Sequence, residues 1–314
     1  MRIAVIGLGL IGGSLLRALG AAGHDVVGFD ADPATRELAR AAGFEVGGSV
    51  RETVAGSVVA ALAVPLPILP EVVADLDGYD GLVTDVTSVK GPVRDLLAGR
   101  RFVGGHPMAG KETSGFAAAE AGLFGGCAWV LCLEPDGTDL DDWLLLAGLF
   151  TRMGARVVPV TAAEHDTAVA QISHVPHLFA AVLAEQLLSN PLAGTLAAGS
   201  FRDGTRVAAT RPELTAAMCG GNGRAVQREL HRLIGELRQL EAVLEGPEPI
   251  GAMTGYLRRP SEARRAWPAT PGRPETIPAD IPDLLHLGRS GGWVTEVKTG
   301  RVVVKRPETD RFLP

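Results

Sequence analysis

Hydrophobic and polar positions alternate in short blocks along the first half of the chain. Near-continuous apolar runs fall at residues 2–6, 25–29, 58–64, 81–86, 101–104, 128–133 and 156–160. Their β-branched content and lack of polar alternation suit strands buried on both faces of a mostly parallel sheet. Between them, residues 11–22, 33–42 and 89–97 carry apolar side chains at helical spacing. Strand and helix repeated in this way predict an α/β fold, a Rossmann-type doubly wound sheet over residues 1–160.

Beyond residue 160 the pattern changes, and an all-helical second domain is expected over residues 161–246. Residues 162–189 are helical in period, with Pro176 removing one backbone donor so that the helix kinks or restarts there. Residues 214–245 place Leu230, Leu233, Ile234, Leu237, Leu240 and Leu244 on one stripe with charges between them. Such a stripe needs a partner surface, either a second copy in a homodimer or an internal core. From 247 to 314, Pro247, Pro249, Pro260, Pro268, Pro271, Pro274, Pro278 and Pro282 punctuate what reads as an extended tail. Near its end, alternating residues 293–297 and 301–305 flank Lys298-Thr299-Gly300, the pattern of a β-hairpin.

Composition narrows the partners. The chain has 314 residues, 46% hydrophobic and 21% charged, enough for about two domains and a substantial core. A net charge of −6 argues against a nucleic-acid footprint or an anionic membrane surface. The apolar run near residue 60 is broken by Pro65, Pro67 and Pro70, too short to span a membrane. Cys127, Cys132 and Cys219 show neither metal spacing nor a disulfide framework, which fits a reducing cytoplasm. No metal site is expected.

Gly7-Leu8-Gly9-Leu10-Ile11-Gly12 follows the first strand and opens a helix, the context of a dinucleotide-binding turn. The apolar start could also pass for a secretory signal, but the glycine spacing favours the nucleotide reading. Gly7 permits the tight turn, Gly9 lets a pyrophosphate approach, and Gly12 allows close helix packing. Asp30 ends the second strand, where a carboxylate accepts the ribose hydroxyls of NAD and repels the 2′-phosphate of NADP. Arg36, at least one helical turn further on, is the nearby cation that a phosphate would require.

Gly104-Gly105-His106-Pro107-Met108-Ala109-Gly110 proposes what the dinucleotide is for. An imidazole with an ordinary pKa of about 6.5 can accept the proton that an alcohol loses when its hydride leaves. His106 is expected just past a strand end, in a loop at the ligand-binding edge; a structural histidine is the alternative. Asp85-Val86-Thr87-Ser88-Val89-Lys90 ends the preceding strand, with Thr87 or Ser88 as an N-cap and Ser88 also placed toward the crevice. Ser173-His174-Val175-Pro176-His177 sets two histidines on one helical face, suited to donate to an anionic substrate. Arg202 and Arg206, four apart, could clamp a carboxylate or lie as a solvated pair.

Together these segments resemble the TyrA family, the prephenate and arogenate dehydrogenases, from Met1 to about Leu244. The resemblance implies that His106 accepts a proton from the substrate's ring hydroxyl and that Ser88 stands beside it. It implies substrate roles for His174, His177 and Arg206, the last gripping a carboxylate, and a gating role for Glu112. Asn222 before the long amphipathic helix also fits. The implied activity is NAD-dependent oxidative decarboxylation of prephenate to 4-hydroxyphenylpyruvate, with arogenate dehydrogenation as the alternative. More distant alternatives are an aminodeoxyprephenate dehydrogenase and a non-catalytic NAD-binding protein. Two departures stand out. Pro212-Glu213-Leu214-Thr215 lies where the family commonly carries a tryptophan, and the tail does not show a regulatory ACT domain.

Overall fold

The computed structural model describes residues 1–308. The chain divides into two compact units, residues 1–166 with 274–305, and residues 167–273 with those described from Arg306 onward.

The first unit carries two six-stranded sheets. One is all parallel, in the order β3-β2-β1-β4-β5-β6. Its strands are β1 (Arg2–Ile6), β2 (Asp25–Phe29), β3 (Glu45–Val46), β4 (Val59–Leu62), β5 (Leu82–Asp85) and β6 (Phe102–Val103). Helices α1 (Leu10–Ala21) and α2 (Pro33–Ala41) contribute to the core on one face. The opposite face receives side chains of α3 (Val50–Val54), α4 (Leu69–Ala74) and α5 (Gly91–Leu96). With both faces covered, β4 and β5 are buried at every position, which is why they read as unbroken apolar runs. Strand order reverses at β1, so the ligand-binding crevice lies off the carboxyl ends of β1 and β4.

The second sheet runs β10-β12-β11-β9-β8-β7. Its strands are β7 (Gly105–Pro107), β8 (Ala128–Cys132), β9 (Arg156–Val160), β10 (Glu275–Pro278), β11 (Trp293–Lys298) and β12 (Arg301–Lys305). Helix α6 (Leu140–Arg152) connects the parallel pair β8 and β9; the other pairings are antiparallel. The strand expected at 101–104 therefore ends early, and at Gly104 the chain passes from one sheet to the other. His106 is inside β7, paired with Val130, rather than in a loop beyond a strand. Gly105 makes the crossing feasible, because a Cβ there would stand 2.6 Å from the Asp85 carbonyl oxygen.

The segment after Gly246 is not an extended tail. Helix α14 (Pro249–Ala266) belongs to the second unit, and residues 274–305 return to the first as β10, α15 (Ile281–Arg289), β11 and β12. Leu284, Leu285, Leu287, Val294, Val302 and Val304 join the core that holds Trp129 and Trp143. Pro260 lies inside α14, but other prolines sit where structure accommodates them. Pro249 and Pro282 occupy first-turn helical positions, where no intrahelical donor is needed. Residues 309–314 of the expected tail lie outside the described residues.

The second unit is helical. After α7 (Ala162–Val169), a π-helical turn Ala170–His174 leads into α8 (Val175–Ala184), so the interruption expected at Pro176 appears just before it. Then follow α9 (Gln186–Ser189), α10 (Pro191–Leu196), α11 (Gly199–Thr205), α12 (Pro212–Gly221) and α13 (Gly223–Glu245). The stretch Ala162–Ser189 is long and apolar enough to cross a membrane by length and composition. Here part of it packs Ala170, Val175, Leu178 and Phe179 against Ala225, Val226, Leu230 and Leu233 of α13. The α13 stripe is thus split: Leu230 and Leu233 pack, while Ile234, Leu237 and Leu244 stay exposed.

Candidate active site

The Gly-rich turn has the shape its spacing implies. Gly7 adopts φ +94°, and a Cβ there would meet the Ala63 carbonyl oxygen at 2.5 Å. At Gly12 a Cβ would overlap the Gly7 carbonyl oxygen at 1.8 Å, so α1 packs against its own entry loop. Gly9, by contrast, has nothing within 4 Å of its Cβ position, leaving open space at the amino end of α1, which Leu10 and Ile11 begin. The Leu8 amide donates to Asp30 Oδ2 at 2.7 Å and the Asp32 amide to Oδ1 at 2.9 Å. Turn and acidic residue are therefore one assembly. An open cradle at a helix amino end beside that carboxylate fits a dinucleotide. Arg36 donates to the Asp30 carbonyl oxygen at 2.6 Å, so its guanidinium is committed to the backbone.

The residue before His106 is held from the 85–90 segment. Asp85 and Lys90 are fully buried and form an ion pair, 0% and 1% exposed respectively. Lys90 Nζ also donates to the Gly105 carbonyl at 2.6 Å, and Asp85 Oδ1 accepts the Gly105 amide at 3.1 Å. A buried ion pair retains its value only when its remaining hydrogen-bonding capacity is met, and here Gly105 and Thr87 meet it. The expected hydroxyl cap is not what starts α5. The Thr87 hydroxyl donates within its own segment, Lys90 takes the N-cap position, and Ser88 lies half-buried between them. The amides of Lys90 and Gly91 instead donate to the Asp166 carboxylate, both at 2.8 Å.

That carboxylate ends a chain of imidazoles. Nδ1 of His106 lies 2.9 Å from Nε2 of His165, and Nδ1 of His165 lies 2.8 Å from Asp166 Oδ1. His165 is almost fully buried, and burial pushes its pKa below the ordinary histidine value despite Asp166. Burial alone would raise Asp166, but hydrogen bonds from His165, Gly91 and Lys90 hold it below the usual carboxylate range. Sequence reasoning missed both residues. The available signal was a His-Asp pair shortly after β9, at the start of a helical run.

Elsewhere the candidates differ widely in burial. Glu112 is exposed in the segment after β7. In the second unit, His174 is buried, with Asn222 Nδ2 at 3.1 Å from its Nδ1, and the Cys219 thiol donates to its carbonyl oxygen. His177 is half-buried and its Nδ1 donates to the Ser173 carbonyl at 2.8 Å, which leaves Nε2 for a ligand. Arg202 on α11 and Arg206 just after it are both exposed. Among the described residues no group of three or more His, Cys, Asp or Glu side chains is arranged to hold a metal.

Residues 13–159 match the family model described as "Prephenate dehydrogenase, nucleotide-binding domain", and residues 161–254 match "Prephenate dehydrogenase, dimerization domain". The chain is 36% identical over 226 residues to the prephenate dehydrogenase of Lactococcus lactis, covering 66% of this chain and 61% of that one. It therefore spans about three fifths of that relative's length. Among solved structures, the arogenate dehydrogenase of Synechocystis is similar at 31% identity and TM-score 0.73, covering 85% of this chain and 100% of that one. The Aquifex aeolicus prephenate dehydrogenase, in complex with hydroxyphenyl propionate and NAD+, is similar at 26% identity and TM-score 0.78. That match covers 84% of this chain and 97% of the other.

Proposed function

Since the chain belongs to the prephenate dehydrogenase family, we propose that it oxidatively decarboxylates prephenate to 4-hydroxyphenylpyruvate with NAD. The observation that carries the reading is His106, fixed through the Gly105 peptide and through the contact of its Nδ1 with His165.

Prephenate bears a ring hydroxyl and a carboxylate on opposite carbons of a cyclohexadiene. When bound, NAD supplies the hydride acceptor. His106 takes the hydroxyl proton at Nε2 as hydride leaves the carbon that bears that hydroxyl. Loss of CO₂ then sends the electrons of the breaking C–C bond into the ring and onto the oxygen. The oxygen recovers its proton from His106, and the aromatic ring gained makes the step strongly downhill. Ser88 orients the ring hydroxyl, and Glu112 acts at the entrance. Arg206, with Arg202 and His177, receives carboxylate through charge-assisted hydrogen bonds. His174, anchored on Asn222, secures the turn from which His177 projects.

Asp30 favours NAD over NADP, since its carboxylate stands where a 2′-phosphate would place further negative charge. The exposed apolar side chains of the helical unit support a homodimer formed through that unit, and three free cysteines fit a reducing cytoplasm. The similarity to an arogenate dehydrogenase favours a second reading in which the side chain carries an amine. Reduced-cofactor formation by the purified protein separates these, using prephenate and arogenate, each with NAD and NADP. Turnover of prephenate with NAD is expected. Arogenate as the sole substrate transfers the assignment to the second reading, and turnover of neither overturns both.

A further inference from the structure

We propose that Asp166, acting through His165, sets the tautomer of His106 so that its lone pair lies on Nε2. The inference rests on the reading of His106 as the base and adds how that base is kept ready.

The argument is one of donors and acceptors. Asp166 Oδ1 faces the Lys90 amide and His165 Nδ1, while Oδ2 faces the Gly91 amide. These donors hold the Asp166 carboxyl below the usual range and hence ionised, and an ionised carboxylate has acceptors only. His165 Nδ1 must then carry the hydrogen. A neutral imidazole has one N–H, which leaves the lone pair of His165 on Nε2. A second proton on His165 is disfavoured by its burial. The 2.9 Å contact between His165 Nε2 and His106 Nδ1 thus requires a donor at Nδ1 of His106. The reverse tautomer would set two lone pairs face to face.

The consequence for proton transfer is direct. When His106 gains a proton at Nε2, its Nδ1–H already points at a lone pair, and that hydrogen bond strengthens as charge develops. No group has to turn. Lys90 pins both ends of the arrangement, since its amide fixes Asp166 while its ammonium fixes the Gly105 carbonyl. His165 and Asp166 are therefore positioning residues, touching the base rather than the substrate.

Imidazole 15N–1H correlation spectra of the full-length protein, labelled at its histidines, report the tautomer directly. His106→Asn identifies the His106 signals. Hydrogen on Nδ1 alone is expected in the wild type without substrate; hydrogen mainly on Nε2, or an even mixture, overturns the proposal. Asp166→Asn introduces a side-chain N–H into the acceptor position. It should mix the His106 tautomers and lower kcat by about 10²–10⁴-fold with KM changed less than about threefold, the scale of a wrong-tautomer defect. A fall in kcat with the tautomer intact would assign Asp166 a purely structural role and overturn the proposal. His165→Gln, able to offer an oxygen to His106 and an N–H to Asp166, should keep the Nδ1 hydrogen. The wild-type spectrum decides the matter even where Asp166→Asn does not fold. Because it needs no substrate, it stands apart from the assay: a wild type inactive on both substrates would sink the functional reading alone.

Discussion

His106 of the first unit and the arginine pair of the second are held in opposite ways. In the first, His106 is tied through its ring and through its neighbouring peptide to groups that are themselves buried and paired. In the second, Arg202 and Arg206 stand exposed among short helices, and Leu188, Leu196 and Ile250 are 86%, 71% and 84% exposed. Moving a proton benefits from dipoles fixed beforehand, since reorganisation during the reaction raises the barrier. Capturing a dicarboxylate needs donors that remain hydrated until the ligand arrives, since burying them unpaired is costly. On the proposed function, the first unit would be prepared for chemistry and the second for encounter.

Substitutions can break that contrast. The largest effect is expected for His106→Asn, with turnover reduced about 10²–10⁴-fold and NAD affinity retained, read from cofactor reduction and calorimetric titration. Near-normal turnover would remove the first unit's claim to the chemistry. Lys90→Met comes next. It leaves the Asp85 carboxylate buried without its cation, and loss of one partner of a buried pair costs about 3–5 kcal/mol. Chemical denaturation should show that loss, and an unchanged midpoint would mean that the pair is not needed for rigidity. Arg206→Ala should be mildest, raising KM about 10–100-fold, the worth of one charge-assisted carboxylate contact, with thermal stability unchanged. A collapse in stability would show that the second unit is as tightly interlocked as the first.

Legibility in the sequence follows the same division. The Gly7–Gly12 turn and the parallel strands are local patterns, in which spacing alone determines geometry, whereas His106 was expected past a strand end and lies inside β7. The partners of His106 and Lys90 were not readable, because His165 lies 59 positions from His106 and Asp166 lies 76 from Lys90. Nothing in a local window announces such pairings. The cap at α5 was misread for the same reason, as a distant carboxylate does what Thr87 or Ser88 was expected to do. The C-terminal segment misled through composition. Prolines suggested an extended chain, although several stand where helices and strands tolerate them.

The return of residues 274–305 to the first unit has a consequence for the order of synthesis. A ribosome finishes the parallel sheet and strands β7 to β9 early, then makes more than a hundred residues of the second unit before β11 exists. Until then β9 remains a sheet edge, and the apolar surface that later meets Leu284, Val294 and Val302 stays open to water. Nascent domains in that condition are exposed to mispairing and aggregation. The unit begun before the helical one is thus finished after that one's helices are made.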